Sequence, residues 1–160
     1  MNHRIIEIKK LRGEVKIVKA EADQVVYIAD IIESQVYIKG KCIKVVAIDI
    51  QRSFIGIKKA TATVEIARAK NSLFLLENIP MSILEQCVEC RIGTAAKNTE
   101  FRIRRSTCLS LVSLEDAEIE DKTPEEIDEI CRTKKEEQLP DEIQVLLENG
   151  EIKSSISKNI

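Results

Sequence analysis

The chain has 160 residues, 44% of them apolar, and a formal net charge of −2, which suits one domain with a real core. A charge this near neutrality gives no global basic field for nucleic-acid binding, no apolar run reaches the length needed to span a bilayer, and no signal-peptide core follows Met1-Asn2-His3-Arg4. Ile and Val dominate, aromatic residues are 3% and Trp is absent, a bias toward strands over helical bundles.

Taken from the N-terminus, one short phrase keeps returning. It appears as Ile6-Glu7-Ile8, Val15-Lys16-Ile17, Val26-Tyr27-Ile28, Val36-Tyr37-Ile38, Val46-Ala47-Ile48 and Ile55-Gly56-Ile57. It continues as Val64-Glu65-Ile66, Leu73-Phe74-Leu75, Met81-Ser82-Ile83, Cys90-Arg91-Ile92, Phe101-Arg102-Ile103 and Leu109-Ser110-Leu111. Each phrase is apolar–any–apolar, the period-2 mark of a strand with one face in a core. An antiparallel sandwich would join such strands through Asn-Gly, Asp-Gly or Pro turns. Up to Leu114 there are only four Gly, one Pro and neither dipeptide. A parallel β-helix needs no hairpin turns, and two strands per coil give about 18–20 residues per coil. The expected fold is therefore all-β: a right-handed parallel β-helix of about six coils over residues 1–114.

In this frame the flanking residues point inward and the central ones outward, with alternate phrases on opposite sheets. One outer face is expected to show Glu7, Tyr27, Ala47, Glu65, Ser82 and Arg102. The other shows Lys16, Tyr37, Gly56, Phe74, Arg91 and Ser110. On the second face Gly56 leaves a dip between Tyr37 and Phe74, beside Lys39 and Lys58, and aromatics framed by charge suit a partner surface.

Residues 115–140 form an acidic connector with a short helix. Thr123-Pro124-Glu125-Glu126 supplies an N-cap, Pro at N1 and carboxylates in the first turn, and Ile127, Ile130 and Cys131 give a narrow buried stripe. Residues 141–160 hold a hairpin and tail. Two alternating runs flank Asn149-Gly150, the signal of a type I′ turn. A hairpin is marginal alone, so Ile143, Val145, Leu147, Ile152 and Ile156 are expected to bury their apolar edge by exchange between two copies, giving a homodimer.

Catalytic chemistry is sparse. His3 is the only histidine, and no phosphate-binding glycine motif is present. Cys87 and Cys90 have half of a zinc-site spacing with nothing to complete it. Cys42 and Cys108 read as core or corner fillers. The five cysteines lack a disulfide-framework spacing and read as reduced thiols of a cytoplasmic protein. No enzyme activity, cofactor or metal is expected, and a binding module is the default.

The ladder resembles a known family. Gln24-Val25-Val26-Tyr27-Ile28, Gln35-Val36-Tyr37-Ile38-Lys39-Gly40-Lys41, Ile48-Asp49, Val64-Glu65-Ile66 and Ile79-Pro80-Met81-Ser82-Ile83 look like the C-terminal actin-binding domain of cyclase-associated proteins. The likeness runs from about Ile5 to Ala95 and resumes at Leu139-Pro140-Asp141-Glu142 and the Asn149-Gly150 hairpin. It implies a β-helix that dimerises through its C-terminal hairpin, binds actin monomers in the ADP form, and promotes nucleotide exchange or sequesters monomers. It also implies the short, C-terminal-only form found in apicomplexan parasites. Ser106-Thr107-Cys108-Leu109 departs from the family's phrase near the last coil, and the Thr123–Gln138 helical insert is longer than its connector. Actin is acidic, so Lys39, Lys41, Arg52 and Lys58, with Tyr37 and Phe74, are the candidate contacts. A tubulin-cofactor-C-like domain that activates a GTPase through Arg91 or Arg102 is the alternative, and a self-stacking filament former of the bactofilin kind is a third.

Overall fold

The computed structural model describes residues 4–115, 117–134, 137–139 and 143–156. In chain order the strands are β1 (Arg4–Arg12), β2 (Val15–Ala20), β3 (Gln24–Ile32), β4 (Gln35–Gly40), β5 (Cys42–Gln51) and β6 (Phe54–Lys70). Next come β7 (Leu73–Asn78), β8 (Met81–Glu85), β9 (Arg91–Thr94), β10 (Thr99–Arg104) and β11 (Leu109–Ser113). After these lie α1 (Pro124–Thr133), β12 (Glu137–Leu139), β13 (Ile143–Glu148) and β14 (Glu151–Ile156).

The first eleven strands make a parallel β-solenoid of six coils. One sheet, sheet A, stacks β1, β3, β5, the second part of β6, β8 and β10, all parallel. Sheet B stacks β2, β4, the first part of β6, β7, β9 and β11. Partners in adjacent coils are 18 residues apart at Thr63↔Met81 and 20 apart at Arg4↔Gln24, as the phrase period requires.

Inside, like stacks on like. One column runs Ile8, Ile28, Ala47, Ile66, Leu84, Ile103, and another runs Val36, Ile55, Phe74, Ile92, Leu111. All of these residues are buried.

The expected inward frame fails in four phrases. Ala47, Phe74 and Ser82 point into the core, fully buried, instead of outward. Val46, Ile48, Met81 and Ile83 are the partly exposed ones. Val15 and Ile17 stand outward, and Lys16 takes the inward row above Val36. In two of the four the cause is parity: VVAI and LFLL are continuous apolar runs, in which either alternate set can be chosen, and a one-residue slip inverts both faces. In the other two, Lys16 and Ser82 take the inward row because their strands stack in register on the neighbouring coils.

The corners explain the missing turn signals. At one corner, two columns of residues with positive φ climb the solenoid. One is Lys10, Asp30, Asp49, Arg68, Gln86 and Arg105, and the other is Gly13, Glu33, Arg52, Asn71, Glu89 and Cys108. Left-handed backbone is uncommon away from Gly. It is held here by bonds between coils, such as Glu33 N–H to the Gln51 carbonyl at 3.0 Å and Arg52 N–H to that of Lys70 at 3.0 Å. Buried serines add a second ladder: the Ser34 and Ser53 N–H groups donate to the hydroxyls of Ser53 and Ser72 in the next coil, at 3.1 and 3.2 Å.

The helix starts as its sequence indicates. Thr123 Oγ1 accepts from Glu126 N–H while Glu126 accepts from Thr123 N–H, a full capping box, and Ile127 and Cys131 are buried with Ile130 partly so. The hairpin also forms. Asn149 and Gly150 have φ of 52° and 78°, as a type I′ turn needs, and β13 pairs antiparallel with β10 of the same chain. Leu147 is buried. The side chains of Ile143, Val145, Ile152 and Ile156 lie outside the described residues.

Candidate functional site

The candidate contacts do not gather at one place. Tyr37 lies on the outer face of sheet B, half-buried, with its ring centroid 5.3 Å from that of Phe54 and its hydroxyl donating to Gln35 Oε1 at 3.1 Å. Burial, and then nearby Glu125, push its phenol up. Lys39 and Lys41 are exposed. Lys58 is exposed too, but its ammonium bonds Glu77 at 3.2 Å, and that bond raises its pKa, helped by Glu120 and Asp121. Arg52 belongs to the left-handed corner, where it pairs with Glu33 at 2.9 Å. Phe74 is a correction: it is fully buried between Ile55 and Ile92 inside the solenoid and offers nothing to a partner.

The chain covers the face that these residues were meant to form. Ala117, Ile119, Ile127, Ile130 and Cys131, from the connector and α1, pack with Tyr37, Phe54, Leu73, Leu75, Val112 and Leu114 into a second small core on sheet B. Gly93 lets them approach; a Cβ there would stand 2.7 Å from Leu114 Cδ1 and 3.5 Å from Cys131 Sγ. Arg91, under the helix, is tied to Asp128. An arginine held there is not free to act as a finger.

Sheet A is different. Its outer face carries partly exposed Val25, Tyr27, Val46, Ile48, Met81 and Ile83. Charged groups frame them. Lys9 Nζ lies 5.3 Å from the Tyr27 ring centroid, Lys44 pairs with Glu65 at 3.0 Å, Arg102 pairs with Glu100 at 3.3 Å, and Arg104 is exposed. Half-exposed apolar side chains ringed by paired charge are the ordinary makeup of a protein-binding surface. Strict alternation hides this face, because it places Val46, Ile48, Met81 and Ile83, four of the six apolar members, in the core. The usable signal was the continuous run Val45-Val46-Ala47-Ile48, since unbroken apolar strands mark sheets with both faces partly apolar.

The cysteines make no metal centre: among the described residues no group of His, Cys, Asp and Glu is arranged to hold an ion. Cys87 and Cys90 are buried, and burial pushes their thiols up to about 11 and about 12. They remain protonated at neutral pH, with Sγ of Cys87 donating to the Glu85 carbonyl and Sγ of Cys90 to that of Val88. Among the described residues no helix is long and apolar enough to cross a membrane.

A two-sheet parallel solenoid, with a capped helix packed on sheet B and a terminal hairpin paired to β10, defines the molecule as a β-solenoid protein. The family model described as "Adenylate cyclase associated (CAP) C terminal" matches residues 2–159, and the chain belongs to that family. A crystal structure of cyclase-associated protein from Cryptosporidium parvum is similar, with a TM-score of 0.69 and 14% identity over 98% of this chain and 93% of that one. At that identity the likeness is one of fold. No curated protein matches the sequence.

Proposed function

We propose that this chain is an actin-monomer-binding protein that regulates actin turnover. Membership of the cyclase-associated C-terminal family across almost the whole chain carries the reading, and supports an actin-binding role. The geometry suggests where contact falls. The outer face of sheet B is spent on the chain's own connector and helix, so the outer face of sheet A, with Tyr27, Val46 and Ile83 at its centre, is the surface left for a partner. Lys41, at the entrance to β5, adds positive charge at the rim of this face, and Lys39 adds more from the end of β4 in sheet B; both steer an acidic protein. Preference for ADP-actin, and exchange or sequestration as the outcome, belong to this proposal.

The dimer belongs to it as well. β13 adds to β10 through Thr99↔Leu147 to Ile103↔Ile143, and a hairpin from a second copy would make the same bonds. Exchange would then give a closed two-fold pair without new chemistry.

Fluorescence titration of ADP- and ATP-loaded actin monomers tests the binding. Ile83→Asp should weaken it strongly and Lys39→Glu with Lys41→Glu moderately, with the thermal midpoint nearly unchanged. Undiminished binding by Ile83→Asp would remove sheet A from the interface. Sedimentation of the intact chain, against one ending at Pro140, tests the dimer: a truncated protein that stays a well-behaved dimer refutes hairpin exchange.

A further inference from the structure

The two ends of the solenoid are built differently. At the C-terminal end, β10 and β11 each receive an antiparallel strand, β13 and β12. At the N-terminal end, among the described residues, β1 pairs only with β3 and β2 only with β4. One edge of each strand therefore presents unpaired backbone groups, a template for another strand. The same coil holds the large hydrophobic side chains that stand exposed among the described residues: Ile5 at 64%, Val15 at 61% and Ile17 at 62%. It is also the basic end. The first coil, residues 4–23, carries Arg4, Lys9, Lys10, Arg12, Lys16 and Lys19 against Glu7, Glu14, Glu21 and Asp23, a modest positive excess in a chain that sums to −2, with Arg4 paired to Glu21 and Asp23, Lys9 to Glu7 and Arg12 to Asp30.

Lys16 is the informative residue. It is in register with fully buried Val36, and Val18 is in register with buried Ile38. Lys16 thus stands in the inward row, on top of the core, where every lower coil has an apolar residue. It is exposed, and among the described residues no strand pairs with β2 on that side. An apolar strand laid on β2 would bury that ammonium without a counter-charge, which is strongly unfavourable. A second copy stacked through the same end would bring one Lys16-bearing edge against another. A lipid surface would leave the bare N–H and C=O groups without partners. A strand with a carboxylate over Lys16 satisfies both the edge and the charge.

We propose that the open edge of β2 accepts an added strand from an acidic partner segment. That strand places a carboxylate over Lys16, an apolar residue over Val18, and apolar residues beside Val15 and Ile17. Lys16 acts as the selector: it admits acidic strands and refuses neutral ones and copies of this chain. The mode is strand addition, in which main-chain bonds supply affinity and alternate side chains supply specificity. It is independent of the actin reading, and its failure would leave that reading intact.

The test uses the intact protein with a labelled ten-residue peptide that carries a Val-Glu-Val-Ile core between aspartates, and a control peptide with Lys in place of the Glu. The acidic peptide should bind saturably, weaken as salt rises, and shift backbone amide signals within residues 15–20. Lys16→Glu should weaken it at least about tenfold and admit the lysine peptide; Lys16→Gln, which removes charge with little change of shape, should fall between. Both variants should keep the wild-type thermal midpoint, because Lys16 is exposed. Equal binding of the two peptides, no binding at millimolar peptide, or shifts confined to β13 and β14 would overturn the proposal. So would end-to-end association of the wild-type protein alone, or Lys16-dependent binding to phosphatidylserine vesicles without peptide binding.

Discussion

Phe74→Ala measures the register of sheet B directly. Phe74 is fully buried, stacked between Ile55 in the coil before and Ile92 in the coil after. Truncating a buried Phe to Ala costs about 3–5 kcal/mol, and the upper part of that range applies where the walls cannot collapse. Here they cannot easily do so. Backbone bonds hold neighbouring coils near 4.8 Å apart, and the flanking Ile55 and Ile92 are stiff at χ1. For a chain of this size the loss corresponds to a drop of about 6–20 °C in melting midpoint. Circular dichroism melts and urea titrations of the two proteins give the number. Glu65→Ala is the control, because Glu65 and its partner Lys44 are both over a third exposed and a surface pair is worth under about 1 kcal/mol. If Phe74→Ala melted within about 2 °C of wild type and instead weakened actin-monomer binding, Phe74 would be a surface residue and the inward column wrong.

Other expectations follow from the same geometry. Gly93→Ala places a methyl against Leu114 and Cys131; it should cost about 1–3 kcal/mol by overpacking and speed proteolysis in the connector, and unchanged cleavage would argue against α1 lying on sheet B. In the native protein only Cys108 should react quickly with a thiol reagent, since the other four cysteines are buried and Cys87 and Cys90 stay protonated to about 11 and about 12; unfolding should release the rest. Asp49 has its pKa lowered by its bond to Arg68, and Glu126 by its bonds to Thr123. Depressed carboxylates stabilise the fold above their unfolded pKa, near 4, and lose that contribution as pH falls through the lower folded value. Asp49→Asn should therefore destabilise slightly at pH 7 and not at all at the acid end, and an equal penalty at both pH values would exclude the ion pair as the cause.

The amino-acid order alone determined the architecture. A strand phrase of short, steady period without hairpin turns requires stacking coils, because such strands cannot bury one face alone. Thr123-Pro124 with Glu126 started the helix, and Asn149-Gly150 made the hairpin, since both depend on local hydrogen bonds and φ preferences that no distant contact overrides. Which face each strand buries was a tertiary decision. In Val45-Val46-Ala47-Ile48 and Leu73-Phe74-Leu75-Leu76 either parity satisfies alternation, and the choice falls to whichever set stacks in register on the coils above and below. The corners were equally hidden: Glu33, Arg52 and Glu89 take left-handed backbone that their own preferences disfavour, held by bonds to residues 18 positions away. The position of α1 on sheet B, and with it the freedom of sheet A and the open edge of β2, was decided by packing between segments far apart in the chain.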